Sequence, residues 1–320
     1  MFIDYSSAFN TIVPTILDTK LRLLNLDPLL RNLILDFLRN RSQVVKMGAM
    51  TSTSLTINTG APQGCVLSPL LYSLYTLDCE AQYSSNMVIK LADDTTVLGL
   101  IKNNDEKDYR REIENLTQWC EKNNLSLNVD KTKELVIDFR MKGEKEKLDP
   151  IIINRSAVER VDSFKFLGVH ISDDLRWNVH TEHVVKTAQQ RLYHLRQLKK
   201  FGMGQRILRT FYRSTVESIL TGSFTAWFGS CSALNRSAME RVVRTAQKIC
   251  GCELPSIQSL YNSRCVAKAR RIIGDPFHPN HGKFVESRSR RNGTKYQSLV
   301  GKTERAQRTF FYQAIRLLNE

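Results

Sequence analysis

Residues 87–100, MVIKLADDTTVLGL, decide how the rest of the chain is interpreted. Two apolar runs, rich in β-branched residues, flank a pair of carboxylates, which predicts a β-hairpin with Asp93 and Asp94 at its tight turn. Neighbouring side chains of a flat strand point to opposite faces, whereas a turn lets both carboxylates approach one site. Such a pair is stable in water or around a bound cation. By itself an Asp-Asp turn is most often solvated, so its meaning depends on the rest of the chain.

Other blocks accompany this hairpin in a fixed order. The first begins with a short apolar strand signal that carries Asp4, and the second contains a loop, Gly60 to Gly64, followed by an apolar helical run. The blocks are FIDYSSAFNT at 2–11, NTGAPQGCVLSPLLYSLY at 58–75, LADD at 91–94, NNLSLNVDKTKELVIDF at 123–139 and FKFLGV at 164–169.

This ordered set resembles motifs A to E of reverse transcriptases, and is most similar to those of non-LTR, LINE-type retrotransposons of the CR1/L2/jockey-like group. The ordered motifs cover residues 1–172, and a weaker resemblance continues to the C-terminus. The resemblance implies an α+β fold: a right-hand polymerase palm with an antiparallel sheet and packed helices, followed by a mainly helical, thumb-like region. It also implies the function of an RNA-directed DNA polymerase.

The resemblance assigns catalysis and metal binding to Asp4, Asp93 and Asp94. Nucleotidyl transfer onto a primer 3′-hydroxyl uses two divalent cations about 3.5–4 Å apart, and Mg²⁺ prefers hard oxygen ligands such as carboxylates. Two Mg²⁺ ions are therefore the expected cofactors. The expected partners are an RNA template, a DNA primer and deoxynucleoside triphosphates, with no membrane and with protein partners unknown.

The resemblance also implies contacts to the incoming nucleotide and to the primer. Phe9 stands where an aromatic ring would exclude a ribose 2′-hydroxyl, although an ordinary core phenylalanine explains it equally well. Lys131 is a candidate to neutralise the leaving pyrophosphate, with Lys133 as a competitor and a solvated lysine as the alternative for either. The implied nucleotide-binding residues are Tyr5 and Ser6 through their backbone N–H groups, Phe9, Gln63, Gly64 and Lys131, and the implied primer grip is Phe166, Leu167 and Gly168.

Composition supports a folded, nucleic-acid-binding protein. The 320 residues are 42% hydrophobic, and 47 Lys and Arg against 32 Asp and Glu give a net charge of +15, which favours a polyanionic partner without specifying a fold. No apolar segment approaches the roughly 20 residues that span a bilayer. The seven scattered cysteines suit reduced thiols, so we expect an intracellular protein, nuclear or cytoplasmic.

Periodicity divides the chain into three predicted regions: palm with partial fingers at 1–172, a helical thumb-like region at 173–249 and a basic C-terminal region at 250–320. Residues 161–203 also resemble a short N-terminal segment of a vertebrate alkB-homologue tRNA-modifying enzyme, a shared fragment to which we assign no function. Apolar spacing predicts helices over 14–24, 28–39, 105–123, 178–201 and 205–212, strands over 42–48 and 54–58, and a strand pair over 151–154 and 161–171. Asp27-Pro28 supplies an N-cap and first-turn proline for the second helix. The third helix has an apolar stripe, which favours a core role for its tryptophan over a ligand-binding one; the stripe is Tyr109, Ile113, Leu116, Trp119 and Cys120.

The C-terminal half carries basic and metal-ligating residue types. Cys250, Cys252, Cys265, His278 and His281 are spaced irregularly for a zinc site, and buried thiols with loop histidines fit the spacing better. Basic residues would hold phosphates without reading sequence, although a solvated helix face explains any one of them. They are Lys186, Arg191, Arg196, Lys199, Lys200, Arg206 and Arg209, with Arg288, Arg290, Arg291, Lys295, Lys302, Arg305 and Arg308 in the tail.

Two features of the sequence mean that resemblance to this family does not by itself predict polymerase activity. Leu91 stands where the resembled family has an aromatic residue that supports the primer terminus. Motif A begins at the third residue or earlier, so we expect an N-terminally truncated polymerase that extends primers poorly. The alternative function is a non-catalytic nucleic-acid-binding remnant of the same element. Template preference, target site and oligomeric state have no signal in the sequence.

Overall fold

The molecule consists of two compact units, Met1–Asp162 and Ser163–Glu320. The structure, a computed structural model, describes residues 1–140, 148–287 and 295–320. Each unit has its own hydrophobic core, and the predicted α+β class is confirmed. The domain boundaries predicted after residues 172 and 249 stay a prediction.

The first unit combines short strands with four α-helices in its described residues. Its strands are β1 (Phe2–Ile3), β2 (Arg41–Gln43), β3 (Lys46–Met47), β4 (Met50–Thr51), β5 (Leu55–Ile57), β6 (Asn86–Leu91), β7 (Asp94–Gly99), β8 (Lys133–Glu134), β9 (Ile152–Ile153), β10 (Ser156–Ala157) and β11 (Glu159–Arg160). Its helices are α1 (Pro14–Leu23), α2 (Pro28–Leu38), α3 (Leu67–Tyr75) and α4 (Lys107–Lys122), with a 3₁₀ turn at Ala8–Asn10.

A five-stranded sheet in the order β11-β8-β1-β7-β6 organises this unit. The two-residue strand β1 lies in the middle and pairs antiparallel with both β7 and β8. Strands β6 and β7 form the predicted hairpin at one edge. Helix α4 packs against that hairpin, and α3 packs against α1. The sheet therefore brings the first residues of the chain beside the hairpin at 87–100.

Local sequence signals account for the helix boundaries. Pro28 stands at the first position of α2, and the Asp27 carboxylate accepts the Leu29 N–H at 2.8 Å, so the predicted N-cap is confirmed. The predicted apolar stripe of α4 is buried in the core. Trp119 packs against that core, which confirms its structural interpretation.

One predicted strand pairing is wrong. Strand β9 pairs with β10 across a tight turn, not with residues 161–171. Those later residues form a separate hairpin of β12 (Ser163–Phe166) and β13 (Val169–Ser172). Asn154 and Arg155, both with positive φ, close the first hairpin locally, because Asn tolerates the left-handed conformation and a two-residue turn with positive φ suits a hairpin.

The second unit is mainly helical after its hairpin. Its helices are α5 (Asn178–Lys200), α6 (Gln205–Phe211), a π-helical turn (Tyr212–Glu217), α7 (Ser218–Leu220), α8 (Phe224–Trp227), α9 (Ala233–Cys250), α10 (Ile257–Ile273), α11 (Glu304–Gln307) and α12 (Phe310–Asn319), with 3₁₀ turns at Phe228–Ser230 and His281–Lys283. Helix α5 packs along α9, and α10 packs along α12.

The core of the second unit is built around fully buried Trp227. Its indole N–H donates to the Gly222 carbonyl at 2.8 Å. The ring of buried His180 meets the indole edge-on, with centroids 4.6 Å apart. Burial and the neighbouring His170 and His183 lower the pKa of His180 to about 4, so the ring is neutral at physiological pH.

All seven cysteines lie in the described ranges, and each is a free thiol. Among the helices of those ranges, none is both long enough and apolar enough to cross a bilayer.

Candidate active site

The β6–β7 turn contains Asp93, and Asp94 is the first residue of β7. Leu91 pairs with Asp94, so Ala92 and Asp93 form a two-residue turn. Ala92 has φ of +53°, a left-handed conformation that costs an L-residue about 1–2 kcal/mol. Such strain is maintained where the surrounding structure fixes the chain and clusters at functional sites.

The strand register brings Asp4 to the same place. Ile3 pairs with Thr95, so Asp4, which follows Ile3, and Asp94, which precedes Thr95, both adjoin the last pair of this ladder. The charge of Asp4 acts on the Asp94 carboxyl, which confirms that the two are near each other. The structure therefore brings Asp4 and Asp94 together, with Asp93 adjacent in the turn.

The three carboxylates interact as like charges. Loss of hydration raises the pKa of Asp94, and the charges of Asp93 and then Asp4 raise it further. In the described part of the chain, no lysine or arginine forms an ion pair with any of the three. Buried Glu134 of the same unit is compensated, since it accepts from Arg160 at 2.8 Å and from the Tyr109 hydroxyl at 3.3 Å. Asp93 and Asp94 are exposed instead, so water or a bound cation can relieve their repulsion.

These carboxylates do not form a closed metal cage. Within the described residues, no group of three or more His, Cys, Asp or Glu side chains is gathered closely enough to hold a metal ion. Mg²⁺ keeps several waters and commonly binds through one or two carboxylates plus substrate phosphates, so it does not need such a cage. The hard oxygen donors and uncompensated charge of the site fit Mg²⁺.

A loop that sequence reasoning missed fixes the backbone of Asp4. The Asp4 N–H donates to the hydroxyl of Thr132 at 3.2 Å, and the Asp4 carbonyl accepts the Asn128 N–H at 2.9 Å. The nearby Ser6 N–H donates to the Ser126 carbonyl at 2.8 Å. That bond corrects one expectation: the Ser6 amide already has a partner and is not free to bind a triphosphate. In the fourth block, motif D at residues 123–139, the sequence singled out Lys131 and Lys133, whereas the side chain that bonds to Asp4 is that of Thr132.

Phe9 and Tyr72 form an aromatic pair beside the acidic residues. Phe9 is half-buried on the 3₁₀ turn, and its ring centroid lies 5.0 Å from that of Tyr72 on α3. Tyr72 is 1% exposed, and its hydroxyl is a buried group without a hydrogen-bond partner. Burial, followed by the charge of Asp93, raises the pKa of Tyr72, which places this phenol near the turn. Tyr5 is also buried, and its hydroxyl bonds to Thr95.

The loop of motif B docks on the turn of motif A. The Gly60 N–H donates to the Ile12 carbonyl at 2.7 Å and the Ala61 N–H to the Phe9 carbonyl at 2.8 Å. A Cβ at Gly60 would lie 2.7 Å from the Cα of Asn10, so only glycine allows this approach. The Gln63 side-chain amide is exposed and donates to the side-chain Oδ1 of Asn10 at 3.5 Å.

Gly64 is exposed beside open space, and its φ of +80° requires glycine. The two lysines of motif D differ: Lys133 forms an ion pair with Glu159 at 2.7 Å. Lys131 is exposed and forms no ion pair within the described residues, so the structure favours it over Lys133 as a mobile cation.

The predicted primer-grip residues form the tip of the β12–β13 hairpin in the second unit. Phe166 pairs with Val169, and the turn residues Leu167 and Gly168 have φ of +47° and +82°. Two positive φ values match the twist of a tight hairpin. Leu91, in place of the expected aromatic, is 56% exposed on the first unit.

The seven basic residues singled out between 186 and 209 are all exposed, and none forms an ion pair within the described ranges. In the tail, Arg308 pairs with Glu304, and Arg305 donates to the Asp174 carbonyl at 3.2 Å. Lys295 and Lys302 are exposed. Arg288, Arg290 and Arg291 lie outside the described residues.

The cysteines and histidines considered for a zinc site are buried or half-buried, or have hydrogen-bond partners close by in the chain. Cys250 and Cys265 are buried, and Cys252 is half-buried. The His278 ring accepts the Asn280 N–H at 3.0 Å, and the His281 ring lies 3.2 Å from the Ile272 carbonyl. The prediction that they do not bind zinc stays a prediction.

Two family models match parts of the chain. A family model described as reverse transcriptase (RNA-dependent DNA polymerase) matches residues 1–171. A second model, the N-terminal region of alkylated DNA repair protein alkB homolog 8, matches residues 177–218, which fall on α5 to α7 and carry none of the acidic residues described above.

Curated relatives come from Drosophila. The chain is 26% identical over 71% of its length to a probable RNA-directed DNA polymerase from transposon BS of Drosophila melanogaster, and covers 26% of that protein. It is 22% identical over 79% of its length to the probable enzyme from transposon X-element of the same species, covering 28%. It is 27% identical over 56% of its length to the RNA-directed DNA polymerase from mobile element jockey of Drosophila funebris, covering 20%. The chain thus spans about a quarter of the length of these relatives.

Proposed function

Because the chain belongs to the reverse transcriptase (RNA-dependent DNA polymerase) family, we propose that it is the polymerase domain of a LINE-type retrotransposon and copies RNA into DNA. The observation that supports this proposal is the approach of Asp4, next to the last paired residue of β1, to Asp94 and Asp93, with no lysine or arginine in an ion pair with them in the described residues. The substrates are an RNA template, a DNA primer and deoxynucleoside triphosphates. Residues 1–172 would form the palm with partial fingers, and residues 173–249 the thumb-like region.

Asp4, Asp93 and Asp94 are the residues that would hold two Mg²⁺ ions. Bound there, the metal would supply activation of the primer 3′-hydroxyl and stabilisation of the leaving pyrophosphate. The carboxylates are well suited to this because their mutual repulsion is relieved by a cation. Lys131, exposed and unpaired in the described ranges, would neutralise charge on the pyrophosphate.

The incoming nucleotide would lie between motif A and motif B. The Phe9 ring, packed against that of Tyr72 with centroids 5.0 Å apart, would lie beneath the sugar of that nucleotide. A ring held in place excludes a ribose 2′-hydroxyl and favours deoxynucleotides. The exposed amide of Gln63 and the bare backbone of Gly64 would contact the nucleotide. The tip of the β12–β13 hairpin would grip the primer.

The basic helices of the second unit would hold the template–primer backbone. Their exposed lysines and arginines neutralise phosphates without reading bases, so log affinity should fall linearly with log salt concentration. A salt-insensitive affinity for RNA would contradict this role.

A second candidate function is a nucleic-acid-binding remnant without turnover. Leu91 favours it, because an aliphatic side chain that is 56% exposed offers no ring to the primer terminus. Both candidates bind RNA, and only the first extends a primer.

Primer extension tests the proposal. The 320-residue chain is incubated with an RNA template, an annealed DNA primer, deoxynucleotides and Mg²⁺, and product length is followed on a gel. We expect Mg²⁺-dependent extension that Asp93→Asn abolishes. Tight RNA binding with no extension above that of Asp93→Asn would establish the remnant instead.

A further inference from the structure

Thr132 is the one side chain outside the acidic cluster that bonds directly to the main chain of Asp4 in the described residues. It is completely buried. Its hydroxyl accepts the Asp4 N–H at 3.2 Å and donates to the Asn128 carbonyl at 2.8 Å. A hydroxyl can accept and donate at once, which neither a methyl group nor an ammonium can do.

The same loop holds the other side of Asp4. The Asn128 N–H donates to the Asp4 carbonyl at 2.9 Å, and the Thr132 N–H donates back to the Asn128 carbonyl at 2.9 Å. The Asn128 side chain accepts the Lys131 N–H at 3.2 Å, which closes the turn on itself. Both main-chain polar groups of Asp4 therefore end on one rigid five-residue loop.

This anchoring matters because β1 ends before Asp4. The strand comprises only Phe2 and Ile3, and their ladder partners on β7 are Thr96 and Thr95. Asp4 is the first residue beyond that ladder, so the loop at 128–132 decides the direction in which its carboxylate leaves the backbone. The charge of Asp4 contributes to the raised pKa of Asp94, so the Asp4 carboxylate lies near that of Asp94.

We propose that Thr132 is a positioning residue for Asp4, and that its hydroxyl directs the Asp4 carboxylate towards Asp94 so that these two carboxylates, with water completing the coordination, bind a divalent cation. This inference rests on the proposed function, because it assumes that the acidic cluster holds the metal. Groups that orient a metal ligand typically change metal affinity about 10- to 100-fold when they are removed.

Paired substitutions separate the hydroxyl from packing. Thr132→Val keeps the shape and removes the hydroxyl, whereas Thr132→Ser removes a methyl group and keeps the hydroxyl. Thr132→Ala differs from Thr132→Ser only by the hydroxyl, so it provides a second matched pair if the valine variant fails to fold. Thr117→Val is the control, because the Thr117 hydroxyl bonds to the Ile113 carbonyl within α4, away from Asp4.

The readout is binding of Mn²⁺ alone to the full chain, followed by the electron paramagnetic resonance signal of the free ion. We expect Thr132→Val and Thr132→Ala to weaken binding about 10- to 100-fold, Thr132→Ser to stay within about threefold of the wild type, and Thr117→Val to leave it unchanged. Asp4→Asn should weaken binding at least as much as Thr132→Val, which shows that the ion uses Asp4.

The outcomes distinguish this inference from the proposed function. Unchanged Mn²⁺ binding in both hydroxyl-free variants of a chain that extends primers would overturn the positioning role alone. Equal weakening by Thr132→Ser and Thr132→Ala would overturn it too, because packing would then be responsible. Hydroxyl-dependent Mn²⁺ binding in a chain that extends no primer would support the positioning role and overturn the polymerase. A wild-type chain that binds no Mn²⁺ would overturn both.

Discussion

The acidic hairpin of the first unit and the aromatic core of the second surround their ionisable groups differently. In the first, loss of hydration and then the charges of Asp93 and Asp4 raise the pKa of Asp94, and no lysine or arginine of the described residues forms an ion pair with these carboxylates. In the second, His180 packs against Trp227 and is kept neutral by burial. The hairpin region thus holds carboxylates close together, whereas the core of the second unit contains its histidine in the neutral form.

The contrast teaches which region serves chemistry and which serves stability. Like charges held together lower the stability of the fold unless a ligand relieves them, so their persistence indicates a function. Burial of large aromatic side chains stabilises the fold directly. Substitutions in the two regions should therefore have opposite signatures in activity and stability.

The largest expected effect is on activity at the hairpin. Asp93→Asn should lower RNA-templated extension by roughly 10³-fold or more, which is ~4 kcal/mol of activation free energy. It should not lower the free energy of unfolding, because it removes one of three repelling charges. Extension gels and urea denaturation measure the two quantities. Asp36→Asn, which removes an exposed carboxylate of α2, is the control, and equal losses in both variants would break the comparison.

The next effect is on stability in the second unit. Trp227→Ala should lower the free energy of unfolding by about 3–5 kcal/mol, because it empties a fully buried indole site and removes the bond to Gly222. Urea denaturation followed by far-UV circular dichroism measures it. Tyr193→Ala, at a side chain that is 57% exposed, should change stability by less than about 0.5 kcal/mol. A loss below 1 kcal/mol at Trp227 would show that this core is loosely packed.

Acid should act on the second unit through His180. Its folded pKa of about 4 lies below the ordinary value of 6.5, so between these pH values the unfolded chain binds the proton and the folded chain does not. Stability is therefore complete above pH 6.5 and falls, by up to about 3 kcal/mol, as pH drops towards 4.

The pH dependence of the urea midpoint tests this expectation. His180→Asn, which can still accept the His170 N–H that the His180 ring accepts at 3.3 Å, should flatten the slope between pH 6.5 and 4. His194→Asn, at an exposed position of α5, should leave the slope as it is. An unchanged slope in His180→Asn would mean that other groups cause the acid sensitivity.

The smallest effect sharpens the comparison within the hairpin. Ala92→Gly should raise the free energy of unfolding by about 0.5–1 kcal/mol, because relief of the left-handed conformation exceeds the extra entropy of unfolded glycine. Extension should fall at the same time, since the turn that carries Asp93 becomes looser. Thermal unfolding and the extension assay measure the two changes, and a destabilised variant would show that Ala92 is not strained.

Several features of the fold and the site followed from sequence patterns that act locally. The two apolar runs over 87–100 predicted the β6–β7 hairpin, and Asp27-Pro28 predicted the start of α2. These features depend on residues a few positions apart, where turn chemistry and capping are strong. The pairing of β9 was predicted wrongly because its partner β10 is only Ser156–Ala157, two exposed residues too short to show a strand pattern.

The sequence by itself determined the acidic residues, the glycine loop and the order of the motifs, because residue type and spacing define the chemistry that each block can perform. Only the tertiary structure decided that Asp4 lies near Asp94, that Tyr72 backs Phe9 and that Thr132 holds Asp4. Asp4 and Thr132 are 128 positions apart. Their contact arises from the register of β1 between β7 and β8, and that register is set by burial of one sheet face in a common core.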